Sequence, residues 1–166
     1  MKRLFLLCLC CFLLSACSRT SSDATASPQP QIPLATATEA HTEAASQSFL
    51  VYRGDDNAEF FLSEEVFVTE INEAVVTEQL IAAGILSEDT AVTSIHLEGT
   101  ELIIDFNQAF ADRVCSMGTS GERIIVGSTV NTFLSAYSAS SVRFTVNGEI
   151  LESGHVIYDF PLEFMQ

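Results

Sequence analysis

An α+β fold, with a small mixed β-sheet and helices packed on one of its faces, is the class this sequence predicts. Three observations carry it. Short apolar runs of period two, Thr93–Leu97, Glu101–Phe106 and Val142–Val146, read as strands. Runs of period 3.6, Ile71–Ala83 and Glu122–Tyr137, read as helices. The order is β-α-β-β-α-β with an added C-terminal hairpin and tail, and helices on one face of a mixed sheet bury both kinds of apolar surface.

The chain opens on an address. Lys2-Arg3 and the apolar run Leu4–Leu14 form a secretory signal, too short to span a bilayer. Leu14, Ser15, Ala16 and Cys17 follow and resemble a bacterial lipobox. That resemblance makes residues 1–16 a lipoprotein signal peptide and Cys17 the lipidated first residue of the mature protein. It places the protein outside the cytoplasm, held to the membrane by its acyl chains; in a Gram-positive cell that is the outer leaflet of the cytoplasmic membrane. Two or more acyl chains hold a protein stably, whereas one is marginal.

Residues 17–47 read as the lipidated cysteine plus a tether. From Ser18 to Gln47, 23 of 30 residues are Ser, Thr, Ala, Pro or Gln and none is aromatic. Such a stretch buries too little apolar surface to offset its ordering entropy. As a flexible chain it reaches about 30 Å.

Residues 48–166 read as the folded domain. Ser48–Arg53 alternates as a first strand, and Gly54-Asp55-Asp56-Asn57 is a turn whose acids lack the spacing of a calcium loop. Phe60–Val68 supplies one or two further short strands. In the first helix Val76, Leu80 and Ala83 share a stripe, with Gly84 placed for the C-terminal cap. Leu102, Ile104 and Phe106 share one strand face, opposite Ile103 and Asp105. Glu98-Gly99 predicts a hairpin turn, and Asn107 an N-cap for a short helix. Val126, Val130, Phe133, Leu134 and Tyr137 predict an amphipathic stripe on the long helix. Asn147-Gly148 turns the chain toward Glu149–Leu151, and the tail Ser153–Phe164 packs on the domain edge.

Charge limits the partners. From Phe49 onward there are 19 acidic residues against four arginines and no lysine. Nucleic acid and anionic lipid surfaces share that sign and are repelled, so no nucleic-acid partner is expected. Cys115 stands alone in the domain, which excludes an internal disulfide and gives no metal-ligand spacing.

TSIHLEGTELIIDFNQAF, GERIIVGSTVNTF, VRFTVNGE and the late DFPLE together resemble the GerM-type (GerMN) domain of sporulation and spore germination. The matching positions are Ile104-Asp105-Phe106-Asn107 with Phe110, Thr132-Phe133-Leu134, Val142–Gly148 and Pro161-Leu162, and the likeness spans about Phe49 to Leu162. Ala83-Gly84-Ile85 departs from it, because the family has Gly-Pro there. The resemblance implies a non-enzymatic module of envelope lipoproteins that positions partner proteins. It also implies a fold similar to the ring-building domains of sporulation complexes, although members occur in bacteria that do not sporulate.

The residues themselves point to no catalytic site, cofactor or metal. Asp105 has no second carboxylate or histidine beside it in sequence, and His96 and His155 are isolated. Arg113 near Cys115 could favour a thiolate, yet a cysteine nucleophile needs a base and none is indicated. Ser138, Ser140 and Ser141 lack a nucleophile elbow. Two readings of different kind follow: a tethered module docking an envelope protein through a sheet edge or an acidic helix face, or one binding cell-wall glycan or a small solute. With no Trp and only Tyr52, Tyr137 and Tyr158, aromatic platforms for glycan are scarce, which favours the first.

Overall fold

The structure, a computed structural model, describes residues 46–166; the lipobox, Cys17 and nearly all of the tether lie outside the described residues. The chain runs β1 (Gln47–Gly54), β2 (Phe61–Val68), α1 (Glu73–Ala82), β3 (Val92–Glu98), β4 (Glu101–Phe106), α2 (Gln108–Cys115), α3 (Thr119–Tyr137), β5 (Ser141–Val146) and β6 (Glu149–Ile150). The α+β class and the order of elements are those expected. The strands, however, form two sheets. β1 and β2 make a separate antiparallel hairpin, and β3-β4-β5-β6 make a mixed four-stranded sheet.

The mixed sheet owes its one parallel pair, β4 with β5, to the crossover through α2 and α3. Its hairpins are set by turn chemistry. Glu98 pairs with Glu101, so the β3–β4 turn is Gly99-Thr100, one residue later than expected. Gly99 has φ +65° at the first central position, where a type II′ turn takes glycine. Asn147 and Gly148 both have positive φ, as a type I′ turn requires, and Val146 pairs with Glu149 across it.

Alternation delivers the core. Leu102, Ile104 and Phe106 of β4 and Val142, Phe144 and Val146 of β5 are all buried on one face. Phe106 stacks on Phe110 of α2 at 4.1 Å between ring centroids and meets Phe133 and Phe144 edge-on. Edge-to-face and stacked aromatic pairs contribute beyond their buried area.

α3 departs from the amphipathic expectation: every residue from Ile124 to Leu134 is buried. Its stripe of Val126, Val130, Phe133 and Tyr137 faces the mixed sheet. The opposite stripe, Ile124, Ser128, Thr132 and Ser135, faces the β1–β2 hairpin. There Leu50 N–H donates to Ser135 Oγ at 2.8 Å and Tyr52 N–H to Thr132 Oγ1 at 2.9 Å. These hydroxyls occupy the edge of β1 that another strand would need, which is why the hairpin stays a sheet of its own. Small polar residues read as solvent-facing, so the sequence pattern hid this second buried side.

Asn107 is the N-cap of α2, but its side chain makes no cap hydrogen bond. It clamps the loop before β3 instead, accepting from Ala91 N–H and donating to the Asp89 carbonyl. The tail crosses the domain: Val142 and Leu162 exchange both main-chain bonds at 2.8 Å, and buried Asn131 of α3 bonds both main-chain groups of Met165.

Candidate functional site

The residues singled out from the sequence are held in structural work. Asp105 Oδ1 accepts from Thr145 Oγ1 at 2.6 Å and Gly148 N–H at 2.7 Å, and Oδ2 accepts from Thr93 Oγ1 at 2.5 Å. Partial burial works against its charge, but the Thr145, Thr93 and Gly148 hydrogen bonds outweigh it and hold the carboxyl below the usual aspartate range. It is therefore not simply solvated on the outer face; it ties β3, β4, β5 and the I′ turn together. His96 lies exposed 3.3 Å from Glu98. Arg113 turns away from Cys115, its guanidinium donating to the carbonyls of Ile85 and Gly84. The exposed Cys115 thiol donates to the Glu152 carbonyl, at 3.6 Å. Ser138 serves as the left-handed C-cap of α3, with φ +53°. Asp55 Oδ1 accepts from Glu59 and Phe60 N–H, which closes its turn. Among the described residues no group of three or more His, Cys, Asp or Glu is placed to hold a metal ion.

Two surface features remain. The first is the outer edge of β2. Because Leu50 and Tyr52 N–H point away from β2, toward α3, the pairs Leu50–Glu65 and Tyr52–Ser63 are the non-hydrogen-bonded ones of the ladder. By alternation Ser48–Phe67 is another. The main-chain groups of Ser63, Glu65 and Phe67 therefore point outward and meet no partner among the described residues. Phe67 is 70% exposed and Phe60 65%. β3 also ends its sheet, but a register irregularity between Val92 and Ser94 interrupts it, whereas β2 pairs regularly over eight residues.

The second is a groove of about 500 Å³ at the start of α3, walled by Val156, Tyr158, Phe160, Leu162 and Met165, with His155 on its rim. Glu122, in the first turn of α3, also lines it and is only 2% exposed. Its Oε1 accepts from Tyr158 Oη at 2.6 Å and Ser153 Oγ at 2.5 Å, while Oε2 has no partner. Burial, then the Glu122 hydrogen bond and charge, push the Tyr158 hydroxyl well above the usual tyrosine range. Sequence reasoning missed Glu122. Its position in an acidic-looking first helical turn reads as an ordinary helix start, and only the fold brings Ser153 and Tyr158 to it.

The two-sheet α+β arrangement around α3 is that of a GerMN domain. The family profile described as sporulation and spore germination, Germane, matches residues 50–152, and the chain belongs to that family. Among solved structures, the tandem GerMN domains of the sporulation protein GerM from Bacillus subtilis share the fold. The TM-score is 0.52, with 15% identity over 78% of this chain and 50% of that one, so this chain spans half the tandem. The first GerMN domain of that protein gives a TM-score of 0.48 and 16% identity, covering 72% of this chain and 97% of that one. A Clostridium perfringens protein described as a lipoprotein gives 0.45 and 16%, covering 71% and 87%. No curated protein matches the chain.

Proposed function

We propose that this protein is an extracytoplasmic lipoprotein, anchored through Cys17, whose domain is a non-enzymatic docking module of the cell envelope. In this reading residues 17–47 give the domain reach and residues 48–166 bind the partner, in sporulation, germination or another envelope process. The observation that carries it is the open edge of β2, eight residues long, regular and flanked by exposed Phe60 and Phe67. An unpaired edge recruits an extended segment by main-chain hydrogen bonding. The partner segment is basic, because Glu64 and Glu65 lie on β2 and the chain carries a net charge of −15.

The test is cross-linking of the full chain in its native cell, tagged after Gln166, with mass spectrometry of captured envelope proteins. Proline at Ser63 and Phe67 removes outward N–H groups and leaves the β1–β2 ladder intact. Capture of a specific partner by wild type, lost from Ser63→Pro/Phe67→Pro at unchanged Tm, is the expected result. Equal capture by both proteins would sink edge docking. Cys17→Ala should move the protein out of the membrane fraction; retention there would refute the anchor.

A further inference from the structure

We propose that Asn147-Gly148 is a latent site of spontaneous deamidation, held shut in the folded domain by the carboxylate of Asp105. It is independent of docking at β2 and of the membrane anchor.

The chemistry lies in the dipeptide itself. An asparagine followed by glycine is prone to this reaction, because glycine has no side chain to obstruct attack on the asparagine amide. Asn147-Gly148 is the one Asn-Gly in this chain; Asn57, Asn72, Asn107 and Asn131 precede Ala, Glu, Gln and Thr. In the reaction a base removes the Gly148 N–H proton, and the nitrogen attacks Asn147 Cγ. An N–C bond forms, the Cγ–Nδ2 bond breaks and ammonia leaves, giving a succinimide. Water then opens the ring to aspartate or isoaspartate. Both residues are exposed, so water and hydroxide reach them.

The fold blocks the first step. Gly148 N–H donates to Asp105 Oδ1 at 2.7 Å. A proton held by a carboxylate is harder to remove, and the amide anion left behind would face a like charge at close range. Asp105 is fixed there, because Thr145 Oγ1 and Thr93 Oγ1 also donate to it. The attacked amide is held as well. Asn147 Nδ2 donates to Gln108 Oε1 at 3.4 Å, which draws the side chain toward α2, and Asn147 N–H donates to the Phe106 carbonyl at 2.9 Å. Positive φ at both residues fixes the I′ turn that succinimide closure has to undo. Deamidation, once it occurs, keeps the turn open. It sets a new carboxylate beside Asp105, and isoaspartate adds one main-chain carbon to a two-residue turn. The site thus records any lasting opening of the strands that Asp105 ties together.

The experiment incubates the full chain in a nonionic detergent at mildly alkaline pH. Deamidation at Asn147 is followed by peptide mass spectrometry, with isoaspartate assigned by fragmentation. Folded wild type should react about tenfold more slowly, or slower still, than the same chain unfolded in urea, because reaction has to wait for local opening. Asp105→Asn keeps the shape but gives up the charge. It should react about tenfold faster than folded wild type, since one charged hydrogen bond is lost. Thr132→Val removes a buried acceptor on α3, away from the turn, and should react at the wild-type rate. That comparison separates a local guard from general loss of stability. Equal rates in folded and unfolded wild type, a wild-type rate in Asp105→Asn, or equal acceleration in Asp105→Asn and Thr132→Val would overturn the proposal.

Discussion

Tyr158 donates its hydroxyl to Glu122 Oε1 at 2.6 Å across 36 residues of chain, and both side chains are buried. The bond joins the C-terminal tail to the first turn of α3 and sets one end of the groove. Tyr158→Phe removes one of two donors and leaves Ser153, so it should cost about 1–3 kcal/mol of stability. Thermal unfolding measures this, and a change within error would show that Ser153 alone suffices.

The same tyrosine makes the domain sensitive to alkali. Tyr158 is raised above its ordinary value of 10.0, and Tyr137, through burial and then the charge of Glu73, is raised to about 12. Between the unfolded and folded values the native state holds more protons, so stability falls as pH rises. Tm should be flat toward pH 10 and decline above it. Tyr137→Phe should flatten part of that decline, and a parallel curve would remove Tyr137 from the account.

Asp105 acts at the other end of the scale. Its folded value lies below the ordinary 3.8, so its contribution is present above that pH and is lost as pH falls through the folded value. Asp105→Asn should cost about 1–2 kcal/mol at neutral pH, because three donors lose a charged acceptor. The variant should also lose less stability than wild type on going from pH 5 to pH 2. Equal losses would mean that another carboxylate governs acid unfolding.

Thr132 is fully buried and accepts from Tyr52 N–H. Thr132→Val keeps the shape and strands that donor, at a cost of about 1–3 kcal/mol. Hydrogen exchange at Tyr52 should speed up markedly while β4 amides respond only to the global change. Unchanged protection at Tyr52 would show that α3 does not close this edge of β1.

Gly127 holds Phe61 close: a Cβ there would lie 2.3 Å from Phe61 Cζ. Alanine gains helix propensity of about 1 kcal/mol yet must displace the ring. Gly127→Ala should therefore be destabilising in wild type and stabilising in a Phe61→Ala background. A double-mutant cycle with coupling below about 0.5 kcal/mol would refute the contact.

The motif residues on which the family likeness rests turn out to be one physical unit. Asp105 of the strand-end motif accepts the N–H of Gly148 from the Asn-Gly turn, and Phe106 stacks on Phe110 four residues on. These signals were legible because they are local: period-two runs, a turn pair needing positive φ, and a capping asparagine each speak through near neighbours. Asn107 stands at the N-cap as expected, but its side-chain amide reaches back to residues 89 and 91 instead of to the helix.

The sequence by itself determined the α+β class, the order of elements, the register of the Asn-Gly hairpin and the acidic charge of the domain. Period, turn chemistry and charge need no knowledge of what lies across space. Tertiary structure alone decided that the strands divide into two sheets, that α3 is buried on opposite sides, and that Glu122 is buried with one oxygen unpaired. Each depends on contacts between residues tens of positions apart. Hydroxyls, glycines and a first-turn glutamate carry no periodic signal of burial; only the docking of a hairpin and a tail onto α3 takes them out of water.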